Sequence, residues 1–193
     1  MKSPFVVLLL TLTILSTASF AQTRASINFD LRTDAGDGDG SSGLMRSRVA
    51  KGSNGSKRAS AGTIEQQVFA LINAERSKNG LRELEWSESL AAVARLHSED
   101  MAHVKFFSHR GSDGSMVDDR ADRLGLGAWR SIGENIAYMR GFDDPAALAV
   151  EKWLESAAHR KNLLGPNWKE SAVGVAVTDD GTYYMTEVFL LRK

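Results

Sequence analysis

Glu134 stands in the stretch SIGENIAYMR, Ser131 to Arg140, with Ile132 before it and Ile136 and Ala137 after it. A carboxylate among apolar residues is costly to bury unless it is paired, so this setting demands a partner for Glu134. Two kinds of chemistry answer the demand. A structural carboxylate accepts backbone N–H bonds or pairs with an imidazolium, and one charge-assisted bond of that kind contributes about 1.5–3 kcal/mol. A metal ligand or general base instead turns an oxygen toward a cation or a bound water. The chain has four histidines to set beside it: His97, His103, His109 and His159.

Other chemistries are missing. There are no cysteines, which removes disulfides, thiolate metal sites and a thiol nucleophile. HExxH, a P-loop, a dinucleotide fingerprint and a nucleophile elbow are all absent. Ser156 lies three residues before His159, but no oxyanion hole can be identified beside the pair.

The elements that must position these side chains are legible in outline. Thr63 and Gln66 form a capping box that opens a helix, in which Ile64, Val68, Leu71, Ile72 and Glu75 share one side and Asn79-Gly80 marks the stop. A second helix follows Ser87. Leu90, Val93, Ala94, His97 and Met101 form its apolar stripe, so His97 is read as a core histidine. His103 falls at the end of that helix and is read as solvated.

FFSHRGSDGS, Phe106 to Ser115, is a loop carrying His109, and a short helix over Met116 to Leu124 follows it. Asp144-Pro145 starts another helix, with Trp153 on its apolar face, expected to run on to Gly165-Pro166. Near its end, Arg160 and Asn162 are expected to bond backbone carbonyls. SAVGVAVT and TYYMTEVFLL flank the turn signal DDG and read as a hairpin. Helices first and a hairpin last indicate an α+β layer fold.

The N-terminus reads as a signal peptide over 1–21. Lys2 is its positive end, Phe5 to Leu15 its apolar region, and Ser19 and Ala21 its small cleavage residues. Its apolar run falls short of a spanning helix. Residues 22–61 are rich in Gly, Ser, Asp and Arg and are expected to be a disordered linker, leaving 62–193 as the folded domain. The linker holds seven basic against four acidic residues; the domain holds sixteen against twenty. A mildly acidic domain argues against nucleic acid as a partner.

ARLHSEDMA, FFSHRGSDGS, GENIA, EKWLESAAHRKNLL, VGVAV and YYMTEVF, in this order, resemble the bacterial SCP-like branch of the CAP superfamily. That superfamily also holds the cysteine-rich secretory proteins, venom allergens and plant pathogenesis-related class 1 proteins. The resemblance spans about Thr63 to Leu191. It implies an α-β-α sandwich, a central mainly antiparallel sheet between helical layers, and a secreted or periplasmic location.

Many eukaryotic members carry two His and two Glu in a cleft that can hold a divalent cation. Carried over by motif, the first His is His109 and the first Glu is Glu134. Ser156, with Glu155 beside it, stands where the second Glu would be. Tyr184 stands at the second His, and Glu187 replaces a Gln. Half of the tetrad is retained. His159, in an S-x-x-H-R-x-N run similar to the bacterial branch, offers a substitute. His109, Glu134 and His159 would then make a two-His, one-carboxylate set suited to zinc, with His97, Asn135, Glu155, Ser156, Tyr184 and Glu187 as cleft neighbours.

Three functional expectations follow. The first is a monomeric, non-enzymatic binding module for a lipid, sterol-like or cell-envelope ligand. The second is a metal-dependent hydrolase of peptide or cell-wall material, with Glu134 as ligand or base. In the third, the His/Glu cluster is purely structural.

Overall fold

The computed structural model describes residues 60–193, together with the backbone of 25–32. The signal peptide expected over 1–21 and most of the linker lie outside the described residues. Within the linker, Ala25–Arg32 departs from the disordered reading and forms strand β1. Its sequence, ASINFDLR, alternates apolar Ile27, Phe29 and Leu31 with polar residues, a strand period that the surrounding Gly/Ser-rich composition hid.

Helix α1, Ala61–Lys78, starts two residues before the predicted cap. Ser60 is the cap, its hydroxyl accepting the Thr63 N–H, while Thr63 lies inside the first turn. The buried stripe is Ile64, Val68, Ile72 and Arg76, joined by Glu65 and Asn73. Leu71, expected on that stripe, is exposed.

Strand β2, Glu85–Trp86, leads into α2, Glu88–Val104, which buries Leu90, Val93, Ala94, His97 and Met101 as expected. Helix α3, Val117–Arg123, follows the His109 loop and ends at Gly125, whose φ of 68° suits glycine. Strand β3, Trp129–Arg140, holds the GEN stretch, to which the sequence pattern assigned no element. Eight of its twelve residues are buried on one face or the other. Two buried faces erase the polar alternation that marks a strand.

Helix α4, Pro145–Glu155, is capped by the Asp144 carboxylate on the Ala147 N–H. The long helix expected up to Gly165 is broken at Ser156. This residue takes an extended conformation (ψ 121°), ends α4 and caps α5, Ala157–Leu163. Strands β4, Glu170–Val177, and β5, Thr182–Arg192, form the expected hairpin.

The sheet runs β1-β3-β5-β4-β2. Its three central strands are antiparallel, and β1 and β2 join at the two edges as parallel neighbours. Alternate residues of each strand point to opposite faces. Ala137, Met139, Val173, Val175, Met185 and Phe189 pack with residues of α1, α4 and α5. Ile132, Ala172, Val188 and Leu190 pack with α2 and α3. This is the α-β-α sandwich anticipated from sequence. No helix among the described residues is long and apolar enough to cross a membrane.

Helix α2 meets β4 at Gly174. A Cβ there would lie 2.2 Å from the Arg95 backbone nitrogen and 2.3 Å from the Ala94 carbonyl carbon. The Ser98 hydroxyl donates to the Gly174 carbonyl and fixes the contact. Gly174→Ala is therefore expected to cost about 3 kcal/mol or more, because backbone rather than a flexible side chain must move. Urea unfolding checks this, and a midpoint close to that of the parent would refute the close approach.

Candidate functional site

The three residues Gly133, Glu134 and Asn135 divide between the two faces of β3. Glu134 points toward α2 and α3. Its Oε1 accepts from His109 Nδ1 at 2.7 Å and its Oε2 from Arg120 Nη2 at 2.6 Å. Asn135 points the other way. It donates to the His159 carbonyl at 3.3 Å and accepts from Asn162 at 3.0 Å, while Asn162 also donates to the Glu134 carbonyl. Gly133 leaves room for Trp168, since a Cβ would stand 3.1 Å from its ring.

Four residues form the network on the α2/α3 face. Arg120 comes from α3, where Val117, Arg120 and Ala121 share the buried stripe. Its guanidinium also donates to the carbonyls of His109 and Ser115. His97, from the core stripe of α2, donates through Nε2 to the Ser108 carbonyl at 2.9 Å, a carbonyl being able only to accept. These bonds pin the Phe106–Ser115 loop from both ends.

Burial pushes the Glu134 carboxyl upward, but the His109 hydrogen bond and the Arg120 charge outweigh it, and the net shift is below the usual carboxylate range. Desolvation holds the His97 imidazole below its usual value against the pull of Glu134. The ionised Glu134 only accepts, so His109 Nδ1 carries a hydrogen. His109 Nε2 and His97 Nδ1 are buried without a hydrogen-bond partner among the described residues.

The zinc set anticipated from His109, Glu134 and His159 is not brought together. Glu134 faces α2 and α3, whereas His159, buried on α5, lies on the opposite side of the sheet. Among the described residues no group of three His, Asp or Glu side chains could hold a metal ion. A guanidinium occupies the carboxylate oxygen that a cation would need, so the donors do not fit a metal.

The remaining cleft neighbours scatter. Glu155 is exposed and paired with Lys152 at 2.8 Å, and Ser156 caps a helix. Glu187 is buried on the α1 side, accepting from Ser171 at 3.0 Å. Of the two polar residues after the middle helix, Asn162 bonds a carbonyl, that of Glu134 on β3, while Arg160 is exposed.

Tyr184 does line a cleft. An open cavity of about 760 Å³ lies beside the end of α2, with Phe106, Phe107, Tyr138 and Tyr184 in its wall. Phe107 and Tyr138 have ring centroids 5.9 Å apart, and Tyr138 and Tyr184 5.1 Å. His103, expected to be solvated, is exposed on its rim. The Glu134 network and the cleft share one loop, since the segment pinned by His97 and Arg120 carries the two phenylalanines. Arg120 escaped the sequence reading. Its signal was an arginine at i+3 from Val117 on an apolar stripe, next to a loop whose histidine needed an anion.

Helical layers on both faces of a largely antiparallel sheet, with a histidine-bearing loop bound to a buried glutamate, define an SCP-like sandwich domain. The model of the cysteine-rich secretory protein family matches residues 69–190, and the chain belongs to that family. It is 42% identical over 130 residues to a Bacillus subtilis protein named uncharacterized membrane protein YlbC, covering 67% of this chain and 35% of the relative. It is 34% identical over 132 residues to B. subtilis YkwD, covering 68% and 49%. A solved extracellular protein containing an SCP domain, from Bacillus anthracis, shares 37% identity at a TM-score of 0.57, covering 69% and 41%. The chain thus spans half or less of the length of each of these relatives.

Proposed function

We propose that the chain is an exported binding module whose ligand site is the aromatic-walled cleft and whose buried His–Glu–Arg network is the scaffold of that cleft. The observation that carries this reading is the fate of Glu134. Both of its oxygens are committed to protein donors, while the loop they anchor forms the wall of an open cavity. Cavities of this size suit a small ligand or a short segment of a polymer. Export is supported by the signal-like sequence at 1–21 and by membership of a secretory family.

The test is a binding panel on the purified full chain, using chitotriose, an oligolysine tetrapeptide and phosphatidylglycerol vesicles. At least one probe is expected to bind saturably, and Tyr138→Leu is expected to weaken it several-fold with an unchanged melting temperature. Failure of all three to bind a folded protein would sink the reading.

A second reading rests on His109 Nε2, which has no hydrogen-bond partner among the described residues and whose ring is oriented by a carboxylate, as a general base would be. It separates from the first by its demand on metal and turnover. On the binding reading, excess zinc leaves the melting temperature unchanged, because nothing binds the folded state more tightly than the unfolded. A rise of several degrees that His109→Ala abolishes would restore the hydrolase.

A further inference from the structure

We propose that the cleft takes a basic peptide segment, with a lysine-type ammonium seated against the tyrosine faces and held by carboxylates on the rim. This deepens the binding-module reading and rests on it. The cleft wall carries three carboxylates, Glu99 on α2 and Asp179 and Asp180 on the β4–β5 turn, against one lysine, Lys105. Asp180 is a fixed anion, held well below the usual carboxylate range by the Thr178 and Thr182 hydroxyls and by Arg140. Glu99 and Asp179 are exposed and have no ion-pair partner among the described residues.

Carboxylates alone would attract any cation. The aromatic wall narrows the class. Phe107, Tyr138 and Tyr184 form a continuous chain of ring contacts, and a desolvating ammonium within about 6 Å of such a ring gains from its negative face. A sterol or acyl chain would leave the rim carboxylates facing apolar groups, and a phosphate-rich polymer would meet them as like charges.

Lys105 narrows it further, from an amine to a peptide. It is the only non-glycine residue with positive φ among the described residues, at 58°. A lysine there is less favourable than glycine, yet its side chain places a single cation on the cleft wall. A peptide brings carbonyls and a carboxylate to pair with Lys105 alongside the ammonium that meets Glu99 and Asp179.

Titration of the full chain with an oligolysine tetrapeptide and with its Nε-acetylated twin tests this. The free peptide is expected to bind, and the acetylated one at least about tenfold more weakly. The double variant Glu99→Gln/Asp179→Asn, at two exposed positions, is expected to lose about tenfold in affinity while keeping its melting temperature. Tyr138→Leu is expected to lose about threefold, which a purely charge-driven surface contact would not show. Equal binding of the acetylated peptide, or full affinity in the double variant, overturns the proposal. Binding of chitotriose or vesicles without the peptide would overturn it too and leave the binding module standing. Silence from all probes would take both down.

Discussion

Replacing Arg120 by methionine is expected to lower the stability of the domain by about 3–5 kcal/mol, because it leaves a buried carboxylate with its cation removed. Glu134 has no access to water, and Arg120 supplies one of its two hydrogen bonds at 2.6 Å. The same change frees the His109 and Ser115 carbonyls that the guanidinium holds. The size of the loss would not by itself prove that charge is the cause. The double variant Arg120→Met/Glu134→Gln separates the causes. With the charge gone from both sides, it is expected to recover part of the stability that Arg120→Met loses. Coupled neighbours depart from additivity by about 0.5–3 kcal/mol. Losses that simply add in urea unfolding would show that Arg120 acts through packing.

The pH dependence has a definite sign. The Glu134 carboxyl is lowered in the folded state, so its contribution is fully present above the unfolded value, about 4.3. It is lost as pH falls through the folded pKa. Glu134→Gln is therefore expected to flatten the acid limb of the stability curve and to leave the alkaline limb unchanged.

What could be read from the sequence depended on whether a residue's period survived its burial. His97 was legible because α2 has one wet face, so a histidine on the dry stripe stands out. Strand β3 was not, because Glu134 and Asn135 are polar and both are buried, one on each face. Without that strand, the sequence could not say which face of the sheet Glu134 takes. In a strand, Glu134 and its neighbour Asn135 must look in opposite directions. His159 then belongs with Asn135, whose amide holds its carbonyl.

The carboxylate's need for a partner was correctly read from Ile132, Ile136 and Ala137. The partner was sought among backbone N–H groups, histidines and metals, and a guanidinium on a seven-residue helix was overlooked. The family resemblance placed His109 and Glu134 together. It could not show that Arg120 holds the second oxygen of Glu134.

The second buried glutamate should behave in the opposite way, and that contrast is the sharpest test of the charge assignments. In the sheet Glu187 sits opposite Asn135, and Glu134 sits opposite Val188, so the two carboxyls lie on adjacent strands and opposite faces. Glu187 has one hydrogen bond, from the Ser171 hydroxyl, and its other oxygen has no hydrogen-bond partner among the described residues. Burial raises its carboxyl well above the usual range, and the Ser171 bond and the charge of Arg76 offset only part of that.

For an acid raised in the folded state, the folded protein holds its proton over a window in which the unfolded chain has released it. Stability must then fall as pH rises from about 4.3 toward the folded pKa, by as much as about 1.4 kcal/mol per pH unit from this one group. Glu187→Gln removes the titration while keeping shape and the oxygen that Ser171 donates to. Its stability is expected to match that of the parent near pH 4 and to exceed it increasingly as the solution is made more alkaline. Urea unfolding of both proteins from pH 4 to pH 9 decides the matter. A difference that does not grow with pH would mean that Glu187 is ionised in the fold, with Arg76 as its effective counter-ion across the gap between their unpaired atoms.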